Sequence, residues 1–401
     1  MTHYCRHCGS PLHHEVIDLG HQPPSNAYLT TEQLALPEIN FPLKVYLCSS
    51  CWLMQVPAHA AADELFTADY AYFSSTSKSW CEHAQAFASK AIDRLKLDSA
   101  SFVVELASND GYLLQYFQEK AIPCLGIEPT SSTAQASRKK GIQTIEEFFG
   151  TALADQLSKA DLVVANNVLA HVPDINDFVQ GISRLLKPDG QASIEFPHLL
   201  RLIQGNQFDT IYHEHYSYLS LHIVSRICRE FSLQVIDVEE LSTHGGSLRV
   251  WISKAGFIDP SPSVQAVLHA ENSLGLQSYE AYLGFQAKAE EAKLGLLSFL
   301  IKSKRKSINV LGYGAAAKGN TLLNYCGVQP DLLPMVADQA KSKQGKFLPG
   351  SHIPIVSPEE LKTNQPDNIV LFPWNLINEI SQLYPSIPLV TAIPHLTIHK
   401  A

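Results

Sequence analysis

No apolar run in the 401-residue sequence approaches the roughly 20 residues that a helix needs to cross a bilayer, which excludes an ordinary membrane-spanning helix. The opening residues Met1-Thr2-His3-Tyr4-Cys5 lack the basic and apolar regions of a secretory signal. A cytoplasmic location is therefore expected. Charged residues are sparse, at 17%, and their balance is acidic, with a net charge of -9. Such a surface has no general attraction for a phosphate backbone or an anionic membrane, so neither nucleic acid nor membrane is an expected partner. Internal repeats and low-complexity tracts are lacking too, which excludes solenoids and disordered tails. What is present is a 45% hydrophobic content, enough for the cores of two or three domains.

Four of the eight cysteines form two Cys-x-x-Cys pairs, Cys5 with Cys8 and Cys48 with Cys51. In a reducing compartment such pairs serve as metal ligands rather than disulfides, and four thiolates close a tetrahedral shell around structural zinc. The 39 residues between the pairs must form a small lobe of their own, and residues 18–28 and 41–46 offer strands and loops for it. This lobe is expected to span residues 1–80. Cys81, Cys124, Cys228 and Cys326 stand singly among apolar neighbours and are expected in the core.

From residue 81 to 258 helical periodicity alternates with short apolar runs. Phe102-Val103-Val104-Glu105-Leu106, Cys124-Leu125-Gly126-Ile127, Asp161-Leu162-Val163-Val164-Ala165 and Ala192-Ser193-Ile194-Glu195-Phe196 read as strands, with helices over 111–119 and 175–186. That is the rhythm of an α/β doubly wound sheet. A helix over 221–231 and two strands joined at His244-Gly245-Gly246 complete it, as in class I S-adenosylmethionine (SAM) methyltransferases by analogy of fold. Residues 259–401 predict a second, smaller Rossmann-like lobe. A helical run over 278–303 leads to the strand Ile308-Asn309-Val310-Leu311-Gly312, a turn at Gly314, a helix over 315–325 and further strands near 333, 369 and 389.

Ligands bind a doubly wound sheet outside the carboxyl ends of its strands. The turn Glu105-Leu106-Ala107-Ser108-Asn109-Asp110-Gly111 lies there, and Glu128, at the end of the second strand, is placed to accept the hydroxyls of a ribose. SAM carries no phosphate, so its turn need not be as glycine-rich as a dinucleotide loop. Phe148 and Phe149 are placed to border an adenine, and Asn167 and His171 to face the methionine end and the acceptor. Further on, Tyr212-His213-Glu214-His215-Tyr216 gathers two imidazoles, a carboxylate and two phenols. Proton-transfer chemistry of that density is needed for methyl transfer when the acceptor is a poor nucleophile such as carbon. Neighbouring residues in an extended segment point to opposite faces, so His215 is the preferred base and His213 the second candidate.

Together these motifs resemble the SAM-dependent nucleotide-sugar C-methyltransferases of deoxysugar biosynthesis. The resemblance runs through the cysteine pairs, Tyr70-Ala71-Tyr72-Phe73-Ser74-Ser75, Ser108-Asn109-Asp110-Gly111-Tyr112-Leu113-Leu114, Gly126-Ile127-Glu128-Pro129, His171-Val172-Pro173-Asp174, Tyr212-His213-Glu214-His215 and Gly312-Tyr313-Gly314-Ala315-Ala316-Ala317-Lys318-Gly319-Asn320. One departure is Ala107, where the family usually has glycine. The resemblance implies zinc and SAM as cofactors and a thymidine-diphosphate 4-keto-deoxysugar as substrate, methylated at C-3. It implies His215 as the base, Tyr212 as donor to the ketone or enolate oxygen, and Glu214 as a group that orients an imidazole or binds the sugar. Tyr72, Asn167 and His171 match other sugar-facing positions. The C-terminal lobe would hold the nucleotide diphosphate through Gly314, Lys318, Asn320 and Lys346, with the loop over 343–350 folding across it. Glu105, Ala107, Asn109, Gly111, Glu128 and Phe148 are then the SAM contacts, and a monomer is the default state. Two other readings stay open: an NAD-dependent oxidoreductase built on Gly312-x-Gly314-x-x-Ala317 with Asp338, and a non-catalytic zinc-ribbon interaction protein.

Overall fold

The computed structural model describes residues 2–59 and 73–400. Tyr72, expected near the acceptor, lies outside the described residues.

Three sheets organise the described chain. The first is antiparallel, in the order His14–Gln22, Phe41–Leu47, Met54–Gln55, Ser217–Tyr218. In Phe41–Leu47, strict alternation buries Leu43, Val45 and Leu47 while Pro42, Lys44 and Tyr46 stay partly exposed, as a half-covered strand requires. Its last strand comes from the middle of the chain. Because Ser217–Tyr218 pairs with Met54–Gln55, the segment carrying His215 is fastened to the zinc-binding lobe.

The second sheet has seven strands in the order Leu233–Leu241, Ser247–Lys254, Leu186–Pro197, Ala160–Asn166, Val103–Leu106, Cys124–Ile127, Thr144–Ile145. Ser247–Lys254 runs antiparallel to both its neighbours, Leu233–Leu241 and Leu186–Pro197; the remaining pairs are parallel. This is the class I methyltransferase arrangement. Both faces are covered, so Val103, Val104, Leu106, Leu162, Val163, Val164 and Ala165 are all buried without alternation. Ile175–Leu185 shows how a covering helix is specified. Asp174 caps its first turn by accepting from the Asp177 amide at 2.9 Å, and Ile175, Phe178, Val179, Ile182 and Leu185 recur at helical spacing on the buried face. Burying each such side chain contributes about 1.5–3 kcal/mol.

A third sheet of six strands follows, Ile355–Val356, Val336–Ala337, Val310–Tyr313, Asn368–Leu371 and Leu389–Thr391 in parallel, with Thr397–His399 antiparallel at the edge.

Several boundaries move for identifiable reasons. The helix expected over 111–119 shortens to Leu114–Gln118, because left-handed backbone at Asn109 and Gly111, with φ of 50° and 75°, keeps the preceding residues in a turn. Gly284, at φ 80°, divides the run over 278–303 into a one-turn segment Tyr279–Tyr282 and the helix Phe285–Arg305. Pro262–Leu274 is a helix the sequence reading passed over. Its buried Glu271 accepts from the Leu221 and His222 amides at 2.5 and 2.9 Å and meets His198 at 2.7 Å, tying it to the start of the helix Leu221–Glu230. Cys228 and Cys326 are buried as expected, whereas Cys81 and Cys124 are only partly so.

Candidate active site

A cavity of about 400 Å³ opens where the parallel strands of the seven-stranded sheet end. One wall is the turn after Val103–Leu106. Ala107 and Asn109 both sit in the left-handed region, at φ 54° and 50°, and both line the cavity. Glu128 holds this turn: one carboxylate oxygen accepts from the Asn109 amide and the other from the Thr130 amide, each at 2.9 Å. Burial pushes the Glu128 carboxyl upward, and the Thr130 and Asn109 contacts oppose that. Phe148 and Phe149 both line the cavity, and Phe149 also packs edge-on against Phe178 at 5.5 Å. Two expected contacts lie behind the wall instead. Glu105 is fully buried, its carboxyl raised well above the usual range by burial and then by Glu128 and Asp110. Gly111 backs onto Ile142 and Ser137, where a Cβ would come within 2.5 and 2.9 Å, so its role is to let the turn pack closely.

The opposite wall carries the imidazoles. His215 donates from Nδ1 to the Thr210 carbonyl at 2.8 Å, which leaves Nε2 as the lone-pair nitrogen, accepting from the Tyr212 hydroxyl at 2.8 Å. His171 donates from Nδ1 to the Glu214 carbonyl at 2.7 Å, and the two imidazole rings are 4.5 Å apart. Burial holds His171 down to about 4 and His215 well below its ordinary value, with His171 adding to the effect on His215. Both rings are neutral at neutral pH. The Glu214 side chain turns away from the cavity to accept from the Asn26 amide and side chain, both at 3.2 Å, so its backbone carbonyl is what holds an imidazole. His213 faces the opposite way, donating to the Pro42 carbonyl at 3.3 Å beside Phe41.

Between the walls stands Asn167, at φ 54°. Neither its side-chain oxygen nor its nitrogen has a hydrogen-bonding partner among the described residues, and the Asn166 oxygen is likewise unpaired. Buried polar atoms are normally satisfied, so these atoms are available to a ligand. A cavity with paired backbone-held carboxylate oxygens, orphan amides and a bordering phenyl ring fits the ribose, amino-acid and adenine parts of SAM.

The rim comes from the C-terminal lobe. Lys318, whose ammonium burial pushes downward, donates to the Asn375 oxygen at 2.7 Å and lies 4.5 Å over the Trp374 ring. Lys343 and Tyr28 both donate to the Ala315 carbonyl, at 2.8 and 2.7 Å, and both line the cavity together with Lys318. Gly314, at φ 91°, brings the turn against Pro373, where a Cβ would lie 2.3 Å from the ring. Asn320 is directed elsewhere, to the Ser25 carbonyl at 2.6 Å, and Lys346 is not in the lining. Lys343 takes the place expected of Lys346. His244 and Trp80, 5.4 Å apart by ring centroid, also line the cavity. Their only sequence signals were a histidine beside Gly245-Gly246 and an aromatic in a helix's first turn.

In the N-terminal lobe the Sγ atoms of Cys5, Cys8, Cys48 and Cys51 all lie within 4.8 Å of one another, with Cys5–Cys51 and Cys8–Cys48 at 3.5 Å. Tetrahedral zinc with bonds near 2.3 Å needs sulfurs about 3.8 Å apart. The four thiols fit.

Comparison with known proteins assigns the family. C-methyltransferase NovU from Streptomyces niveus is 34% identical over 381 residues, covering 94% of this chain and 90% of that protein. The chain belongs to the C-methyltransferase family. Family models agree along its length: "Putative zinc binding domain" over residues 5–66, "Methyltransferase domain" over 80–238 and "C-methyltransferase C-terminal domain" over 242–387. This C-methyltransferase therefore uses SAM as methyl donor and zinc in its cysteine cluster. Among solved structures, magnesium protoporphyrin IX methyltransferase from Synechocystis PCC 6803 shares 13% identity and covers 43% of this chain and 79% of its own, at a TM-score of 0.33. A SAM-dependent methyltransferase from Clostridium acetobutylicum ATCC 824 shares 13%, with 43% and 91% covered and a TM-score of 0.36. At these scores neither likeness carries weight. No helix among the described residues is long and apolar enough to cross a membrane.

Proposed function

We propose that this C-methyltransferase acts on a nucleotide-linked 4-keto-deoxysugar of the thymidine-diphosphate type and methylates C-3 by base-catalysed enolate formation. The observation that carries the reading is the neutral His215, its Nδ1 proton fixed on Thr210 and its Nε2 directed to Tyr212 in the cavity that also contains the SAM turn. A hydroxyl acceptor would need no enolate, whereas a C–H beside a ketone gives up its proton only to a positioned base. In this division of labour residues 1–80 form the zinc and substrate lobe, 81–258 hold SAM, and 259–401 hold the nucleotide end of the sugar.

His215 Nε2 takes the C-3 proton. Catalysis of this kind contributes typically about a hundred- to ten-thousand-fold. The Tyr212 hydroxyl, which rests on Nε2 in the free enzyme, turns to the ketone oxygen as substrate arrives, which both frees the base and stabilises the enolate by roughly 3 kcal/mol. Burial disfavours the imidazolium, so His215 passes the proton on to solvent water and returns to its neutral form. Asn167 and His171 orient the sugar ring. Lys318 and Lys343 supply positive charge for a diphosphate at the rim. Ala107, Asn109, Glu128 and Phe148 hold SAM, which when bound supplies an electrophilic methyl group to the enolate carbon.

The test is a mass-spectrometric assay with methyl-labelled SAM and a panel of thymidine- and guanosine-diphosphate 4-keto-6-deoxysugars. Label on the C-3 carbon of a thymidine-diphosphate sugar is expected. Label on oxygen or nitrogen, or on no member of the panel while SAM binds, would contradict the acceptor class.

A further inference from the structure

The zinc knuckle reaches the catalytic wall through one side chain. Arg6 lies between Cys5 and His7, and its guanidinium contacts residues outside the knuckle. Nη1 donates to the Pro173 carbonyl at 3.1 Å, Nη2 donates to the Val56 carbonyl, and the group stacks 5.1 Å from the centre of the buried Tyr216 ring. Among the described residues no carboxylate stands within ion-pair distance of it, and burial lowers its ordinarily very high pKa to about 10. A charge placed there satisfies carbonyls and an aromatic face rather than a counter-ion. Two of the contacts belong to the catalytic wall and the third, Val56, is bonded to it. Pro173 lines the cavity two residues after His171, Tyr216 follows His215, and the Val56 amide donates to the Tyr216 carbonyl at 3.1 Å. The knuckle fixes Arg6 in turn: its backbone amide donates to Gln55 Oε1 at 3.0 Å, and Gln55 Nε2 reaches the Cys5 sulfur at 3.2 Å. His7 adds a second tie, exchanging contacts of 2.8 Å with Asn176 at the start of the helix Ile175–Leu185.

We propose that Arg6 is a positioning residue through which the zinc cluster sets the catalytic wall, holding the 171–173 strap and Tyr216 in register so that the His171 and His215 rings keep their places beside one another on that wall. The cluster thereby serves methyl transfer as well as folding. Its planar fork is what the task requires, since two carbonyls on separate segments must be held at once. The proposal is independent of which acceptor the enzyme uses.

The test uses the zinc-loaded, full-length protein with ¹⁵N-labelled histidine, reading imidazole tautomers by long-range ¹H–¹⁵N NMR alongside zinc content, SAM affinity and methyl transfer. Wild type should show His171 as a single Nδ1–H tautomer. Arg6→Gln should keep its zinc and its SAM affinity within about two-fold, because the SAM wall touches none of these contacts, while His171 shows mixed tautomers and kcat falls about ten- to a hundred-fold, as small misplacements do. Chelating zinc from wild type should produce the same His171 change, and chelation of Arg6→Gln should add little to it. An unchanged His171 signal in zinc-loaded Arg6→Gln, or a His171 signal indifferent to zinc removal, would overturn the proposal. Should Arg6→Gln lose zinc or fold poorly, Arg6→Lys keeps the charge and stem but not the fork and is read in the same way, with rescue of the wild-type spectrum counting against the proposal.

Discussion

Glu128→Gln is a sharp perturbation of the SAM wall because the carboxylate has two tasks there. Its oxygens accept from the Asn109 and Thr130 amides; the Asn109 amide belongs to the turn in which Ala107 and Asn109 adopt left-handed backbone, and the Thr130 amide to the segment that follows Glu128 itself. A non-glycine residue in that conformation costs roughly 1–2 kcal/mol, and a hydrogen bond to a charged acceptor contributes about 1.5–3 kcal/mol. The bond to Asn109 therefore offsets part of the strain of the turn. Glutamine keeps one acceptor oxygen but turns an NH₂ group toward the other backbone N–H, so one bond is lost and a donor faces a donor. It also leaves one acceptor fewer for ribose hydroxyls. Losing one charge-assisted contact to the turn and weakening another to the ligand amounts to about 3 kcal/mol, or roughly a hundred-fold in the SAM dissociation constant. Isothermal titration of SAM into both proteins measures it, with circular dichroism to confirm that the fold is kept. A constant within about three-fold of wild type would refute the reasoning and remove Glu128 from the SAM site.

Three further outcomes follow from the same geometry. Ala107→Gly should relieve backbone strain of about 1 kcal/mol or more, partly offset by the larger unfolded-state entropy of glycine, giving a urea midpoint equal to or above wild type; a lower midpoint would contradict the strain argument. Lys343→Ala should raise KM for a nucleotide-linked acceptor about ten-fold or more while leaving SAM affinity unchanged, and equal effects on both ligands would contradict its placement at the nucleotide end. For pH, burial and His171 hold His215 well below its ordinary value, and the neutral imidazole is the active form. The base therefore stays deprotonated as pH falls through 6.5, and a kcat profile should be flat from about pH 8 to 6, whereas a falling limb centred near 6.5 would mean an imidazole exposed to solvent.

Much of the fold was legible because burial on both faces writes itself as unbroken apolar runs: Val103-Val104 and Leu162-Val163-Val164 are strands in the structure as in the sequence. The two-residue strands Met54–Gln55 and Ser217–Tyr218 were not, since each is too short to show a pattern and Ser217–Tyr218 is a strand only through pairing with Met54–Gln55, more than 160 residues away in the chain. The helix Pro262–Leu274 was missed for a related reason: its anchor, Glu271, is polar and buried only because Leu221, His222 and His198 meet it. At the site, spacing identified residue types better than directions. The cluster 212–216 marked the chemistry, yet only folding sends His213 to Pro42, His215 to Thr210 and the Glu214 side chain to Asn26. Lys343 and Lys346 look equivalent in sequence, and the turn that brings Lys343 against Ala315 separates them.

The measurement that tests the central claim most directly is the wash-in of solvent deuterium at the acceptor carbon in the presence of a thymidine-diphosphate 4-keto-6-deoxysugar, comparing wild type with His215→Ala. Exchange at C-3 by wild type, with a fall of about a hundred-fold or more in the variant while SAM affinity holds, is the result the account predicts. Exchange and methyl transfer retained within a few fold in His215→Ala would contradict it and assign the base elsewhere.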